Sequence, residues 1–407
     1  MSKTIAANFS FFQSLVGFKN VDANSAPSKS SNLQVSISQA SNQIVQNVDA
    51  TKSGAKTEAL YGWILHPVVD ILFCCGGLVW LFFLAQFSGF EPAHMSKSVQ
   101  MLMALASLGS IALAETHVMA TLERVYKKDN FEKFAPYTKW AAAGCALLAV
   151  LGVFFPTLVP IYLKVYLLFV AQHFTAQTFG LTLLYCAKRN YFFSTREKFA
   201  LSSLLQSTMC VAMLRQLTYR DYSVGSLLGF NLPDWSGMPE IFCQLAFAVV
   251  AVSAVSLLCV ILRKWHANKQ AFPVPAALVL FTGVAVFLVD NKISQYLWLY
   301  VPAFFHGSQY IAISLGLHIK EKGLPEGMSA RQIGELITEP VALRYLGMLL
   351  VAALCFFQVL PFVAGLFGLN AVAVAASTFA AIHFHHFLTD SAIWKLRDPD
   401  VRKLLVA

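Results

Sequence analysis

The chain has 407 residues, 57% of them hydrophobic and only 13% charged, with a mean hydropathy of +0.60. That balance excludes an ordinary soluble domain, and apolar runs of about 20 residues, the length that spans a bilayer, recur along it. The net charge of +9 is not a nucleic-acid footprint, because the basic residues fall in short loops between apolar runs.

Residues 1–58 are rich in Ser, Asn, Gln, Ala and Lys, with one apolar cluster from Phe9 to Phe18. No continuous apolar stretch there leads to a cleavage site, so the expectation is a polar, largely disordered tail and not a signal peptide. A transmembrane helical domain is expected over 59–397 and a cytoplasmic tail over 398–407. The fold class this implies is all-α, a polytopic bundle of ten spans near 66–88, 98–122, 138–157, 160–187, 197–218, 241–263, 272–290, 293–318, 342–366 and 371–394.

Charge orients the spans. Twenty Lys and Arg residues follow the even-numbered spans, from Arg124 to Lys403, whereas the opposite loops and span ends hold only Lys97, Lys164, Arg215, Arg220 and Lys292. Basic residues accumulate on the cytoplasmic side, so both termini are expected there, in the manner of a multi-pass protein of a bacterial inner membrane. Residues 219–240 form a turn-rich external loop, and Ser329–Ile337 reads as a short amphipathic helix on the cytoplasmic face. There is no nucleotide-binding glycine pattern and no repeat. The eight cysteines form no CxxC, and nearly all fall in apolar runs, where cysteine behaves as a small hydrophobe; the absence of CxxCH excludes a c-type haem attachment.

Eight of the ten histidines lie in or at the ends of the apolar runs: His66, His117, His173, His306, His318, His383, His385 and His386. His94 and His266 fall in loops. Ionisable side chains are costly in hydrocarbon and usually face a bundle interior or a functional cavity, and imidazole is the commonest protein ligand for iron, copper and zinc. At about 1.5 Å per residue, His173 and His306 sit on the order of 20 Å from the cytoplasmic ends of their helices, and the C-terminal trio about 12–16 Å. All eight therefore fall in the cytoplasmic half or at its boundary. Taken singly, each could simply hydrogen-bond a neighbouring helix; as a set they point to a metal or haem site.

In the tenth span, about 100° per residue places His383, His386 and Asp390 on one face and His385 nearly opposite. His306 shares a face with Gln309 and Tyr310, and His173 with Gln177. Glu115 and His117 lie about 200° apart and are not expected to touch one ion. His66 precedes a helix-start proline, with Asp70 one turn inside. The candidate ligand set is His66, His117, His173, His306, His383, His385, His386, Asp70, Glu115 and Asp390, with Gln309 and Tyr310 as candidate catalytic groups.

Three strings resemble the Brp/Blh-type membrane β-carotene dioxygenases: His66-Pro67-Val68-Val69-Asp70, Gln172-His173-Phe174 and Phe305-His306-Gly307-Ser308-Gln309-Tyr310. The resemblance implies non-haem iron and cleavage of a carotenoid. The chain departs from that family where proline replaces the glycine after the first histidine and Gln309-Tyr310 replaces an Arg-His pair. The histidine count is also similar to that of membrane desaturases and hydroxylases, although the HxxxH and HxxHH boxes of that class are absent, as is HExxH.

Two function classes follow. One is a non-haem iron oxygenase or oxidase, with copper or zinc as other ions the ligands suit. It would act with O2, and in some reactions with a redox donor protein, on a lipid-phase substrate such as an acyl chain, isoprenoid or carotenoid. The other is a bis-histidine haem electron carrier or a metal transporter. A clustered, uneven ligand set with carboxylate support favours the enzyme; opposed histidine pairs favour the carrier.

Overall fold

A computed structural model describes residues 62–81, 108–109, 111–289, 295–322, 330–393, 402, 405 and 406. The expected N-terminal tail, 1–58, lies outside the described residues, as does most of the C-terminal one. Ten labelled helices carry the fold: α1 Thr116–Tyr126, α2 Lys128–Phe154, α3 Val159–Ala187, α4 Thr195–Thr218, α5 Glu240–Asn268, α6 Val274–Leu288, α7 Gln295–Lys322, α8 Pro340–Leu354, α9 Leu360–Leu366 and α10 Ala371–Ile393.

Local sequence sets their limits. Proline opens α3, α6 and α8 at the first turn, where its missing N–H costs nothing. A capping box starts α4: Glu197 N–H donates to Ser194 Oγ at 3.4 Å, and Ser194 N–H donates to Glu197 Oε2 at 2.7 Å. Lys269 ends α5 in the left-handed conformation, φ 55°. Asn370 Oδ1 accepts from the Val372 and Ala373 amides, both at 3.1 Å, and so starts α10.

Among the described residues, five helical stretches are long and apolar enough to cross a membrane: Tyr137–Phe154, Pro156–Ala187, Glu240–Asn268, Pro340–Leu366 and Ala371–Asp390. They mark a membrane protein. Of the other expected spans, α6 is apolar but only 15 residues long, and α4 carries Gln206, Arg215 and Gln216. Helix α7 covers the eighth span around an internal Pro302.

The first expected span is not a continuous helix. Pro67–Val69 leads into a π turn, Asp70–Cys74, and the chain then breaks at Gly76, φ 87°. A Cβ there would lie 2.4 Å from Thr282 Cγ2, so only glycine satisfies both the backbone and the contact with α6. Only the end of the second expected span, 98–122, is described, as a π turn over Ile111–Glu115 running into α1. A third π turn, Cys355–Val359, joins α8 to α9. Single π turns insert one residue and re-aim the side chains that follow.

In the turn-rich segment 219–240, Ser226–Leu227 (β1) and Phe230–Asn231 (β2) pair antiparallel across Leu228 and Gly229, both at positive φ. The amphipathic segment expected at Ser329–Ile337 is a 3-10 helix, Ala330–Thr338, with Ile333 buried against the main core. Helix α10 packs on α2, α3 and α1, while α3 packs on α4 and α6. Helix α7 lies against both the Asp70–Cys74 and Ile111–Glu115 turns. This arrangement surrounds the inner faces of α1, α3, α7 and α10.

Candidate metal centre

Four histidines meet where those four helices converge. His117 (α1), His173 (α3), His306 (α7) and His386 (α10) are 3%, 5%, 2% and 0% exposed. One ring nitrogen from each lies within 4.8 Å of all the others. His117 Nε2 is 3.2 Å from His386 Nε2, and His173 Nε2 is 3.0 Å from His306 Nε2.

These spacings suit an ion. A metal–imidazole bond of about 2.0–2.1 Å sets adjacent nitrogens about 3.3 Å apart in a tetrahedron. In an octahedron the same bonds give about 2.9 Å for neighbours and about 4.1 Å across the centre. The donor set is four buried imidazoles, and in the His306 ring the other nitrogen, Nδ1, is buried without a hydrogen-bond partner among the described residues. Such nitrogens suit Fe, Cu or Zn.

Glycine permits the approach. A Cβ on Gly307 would fall 2.8 Å from the Leu113 carbonyl oxygen. Its absence lets α7 close on the Ile111–Glu115 turn and brings His306 to His117, whose ring centroids stand 4.8 Å apart, edge to face. On the opposite wall, Phe174 stacks on His306 at 4.4 Å and Phe387 on His173 at 4.5 Å. Aromatic contacts of this kind contribute about 0.5–1.5 kcal/mol beyond area burial and hold the imidazoles without consuming their nitrogens.

Polar partners hold the other side. Thr121 Oγ1 lies 2.8 Å from His386 Nδ1 and in a short hydrogen bond with the Tyr310 hydroxyl. Tyr310 donates in turn to Asp390 Oδ1 at 2.7 Å. Tyr310 is therefore beside the centre, its ring 5.3 Å from that of His117 and 5.5 Å from that of His386. Asp390 reaches the group through the Tyr310 and Thr121 hydroxyls.

The remaining candidates do not join the four. His383 donates from Nδ1 to the Phe379 carbonyl at 2.8 Å and sits among Tyr166, Phe357 and Phe379, although the helical wheel puts it on the His386 face. His385, on the opposite face, meets the Tyr126 hydroxyl at 2.9 Å. His318 stacks on Tyr345 at 4.1 Å. His66 is exposed, and its Nδ1 accepts from the Val68 amide at 3.3 Å. Asp70 accepts from the Ile64, Leu65 and His66 amides and from the Tyr185 hydroxyl, so its lone pairs are engaged.

Glu115 lies at the end of its π turn and hydrogen-bonds the Gln358 side chain, away from His117, in keeping with their angular separation. Gln309 is engaged at both ends of its amide. It accepts from Gln177 at 2.9 Å and donates to the Cys74 carbonyl at 2.8 Å, tying the first segment to α7. Gln177 also donates to the His306 carbonyl at 3.0 Å.

Thr121 was not among the sequence candidates. Its signal was its place one turn after His117, on the same face of the same helix. Compared with protein families, curated proteins and solved structures, the chain matches none.

Proposed function

We propose that the chain is an integral membrane metalloenzyme, a non-haem iron oxygenase or oxidase acting on a lipid-phase substrate. The observation that carries this is the buried group His117, His173, His306 and His386, with ligand atoms within 4.8 Å, between apolar helices. Packing favours a bare ion over a haem. Five of the six ring pairs are in contact at centroid distances of 4.5–6.1 Å, all edge to face, which leaves none of those five room for a porphyrin plane.

Iron bound by the four histidines would supply O2 activation. The chain's own residues do the rest. The histidines hold the ion, and helices with apolar outer faces keep bulk water away. Phe174 and Phe387 form an apolar wall on the His306 and His173 side. Beyond Phe174, a small cleft is lined by Tyr166, Val170, Ala212, Gln216, Phe287 and Pro302, and its mostly apolar walls support a lipid-phase substrate such as an acyl chain, isoprenoid or carotenoid. Two of the three strings that resemble the Brp/Blh-type dioxygenases contribute His173 and His306 to the same group, and the His66–Asp70 string stays outside it. The distribution of basic residues supports ten spans with both termini cytoplasmic, in a bacterial inner membrane.

The test is expression of the wild type and His306→Ala in one host, with extracted lipids and pigments compared by mass spectrometry. Loss of an O2-dependent product in the variant supports the reading. A His306-dependent change confined to a polar cytosolic metabolite contradicts it.

A further inference from the structure

We infer that Thr121, Tyr310 and Asp390 are positioning residues that fix the protonation tautomer of His386, so that its Nε2 presents a lone pair to the ion. The inference rests on the metal reading above and extends it from the ligands to the groups that orient one of them.

The direction of the hydrogen-bond chain follows from its protons. A hydroxyl has one proton to donate, and an ionised carboxylate only accepts. Tyr310 gives its proton to Asp390 Oδ1. The Tyr310 oxygen can then only accept within the chain, so the short contact with Thr121 is a bond donated by Thr121. With its proton committed, Thr121 Oγ1 must accept at 2.8 Å from His386, which places a proton on Nδ1. A neutral imidazole protonated at Nδ1 carries its lone pair on Nε2, the atom 3.2 Å from His117 Nε2.

Were the chain reversed, Thr121 would donate to Nδ1, the proton would sit on Nε2, and His386 could not bind the ion without rearranging. The carboxylate at the far end sets the direction.

Burial supports a purpose-built arrangement. Thr121 and His386 are each 0% exposed and Tyr310 is 2% exposed, so none of these groups can borrow water to complete its bonds. The residues come from three helices, α1, α7 and α10, so packing must hold all of them for the chain to close. Directed support of this kind orients ligating histidines and raises their basicity, and losing it lowers metal affinity about 10–100-fold.

The experiment uses the full chain in detergent, stripped of metal and titrated with Co2+ against a competing chelator while the visible d–d bands are recorded. Thr121→Val keeps the side-chain shape and removes the hydroxyl. It should weaken Co2+ binding by about 10–100-fold and alter the bands, while Thr121→Ser restores wild-type affinity and spectrum. Tyr310→Phe should weaken binding similarly, and it carries the test if Thr121→Val does not fold.

If both variants bind Co2+ with wild-type affinity and unchanged bands while His386→Ala loses binding, the positioning role is overturned and the metal reading survives. If His386→Ala and His306→Ala both bind as the wild type does, the metal reading itself fails.

Discussion

The chain holds two His-x-x-x-Asp pairs, His66 with Asp70 and His386 with Asp390, and each aspartate accepts a tyrosine hydroxyl at 2.7 Å. Their roles are otherwise opposite. Asp70 turns back on its own backbone, collecting the amides of Ile64, Leu65 and His66, while His66 faces outward and caps its own turn. Asp390 turns outward to α7 and α1 and reaches its histidine through Tyr310 and Thr121. Equal spacing thus serves a folding knot at one end of the chain and a candidate metal ligand at the other. The difference lies in the backbone: the first pair sits at a helix start, where the bend residues before it offer unpaired amides, whereas the second lies in an unbroken helix whose amides are already paired.

The sharpest way to break this contrast is to remove each carboxylate. Asp70→Ala strands three backbone amides and the Tyr185 hydroxyl, all close to a residue with no exposure, and each unsatisfied group costs about 1–3 kcal/mol. The expected outcome is a loss of at least about 3 kcal/mol, read by thermal melting in detergent, with metal per folded molecule unchanged. Asp390→Ala strands the Tyr310 hydroxyl, so it should cost the metal-free protein only about 1 kcal/mol in melting, but leave metal affinity about tenfold weaker, near 1.4 kcal/mol, measured by chelator competition.

The tyrosines make a finer comparison. Tyr185→Phe should cost about 1 kcal/mol of stability with no effect on metal, because it removes one of four bonds to Asp70. Smallest is His66→Ala, which removes one exposed cap and should lower stability by about 0.5 kcal/mol, with full metal retained. Metal loss in either variant would mean that the first pair belongs to the centre after all.

Much of this architecture was legible in the sequence. Apolar runs read against turn and charge breaks placed α3 and α10 within one residue at each end, and α5 within five. Depth counting put all eight histidines of the apolar runs in the cytoplasmic half or at its boundary, with His117 near the exit of its span and His173 and His306 about 20 Å deep, and helical periodicity set Glu115 apart from His117.

Other features were illegible for physical reasons. A wheel assigns a face but not a neighbour, so His383, which shares a face with His386, ends instead on the Phe379 carbonyl among aromatic rings. A helix wide enough to present several ligands touches different partners along one face. The break at Gly76 depends on Thr282, more than 200 residues away, and local propensity does not see it. Thr121 looks like any small residue in an apolar helix until His386 and Tyr310 arrive from two others.

The claim at the centre of this account is that four histidines, and not five or six, hold an ion. Elemental analysis of tag-free protein, comparing the wild type with His306→Ala and His383→Ala, tests it most directly. The account predicts close to one equivalent of transition metal in the wild type and in His383→Ala, and its loss in His306→Ala. Metal lost from His383→Ala but kept in His306→Ala, or no metal in catalytically active wild-type protein, would contradict it.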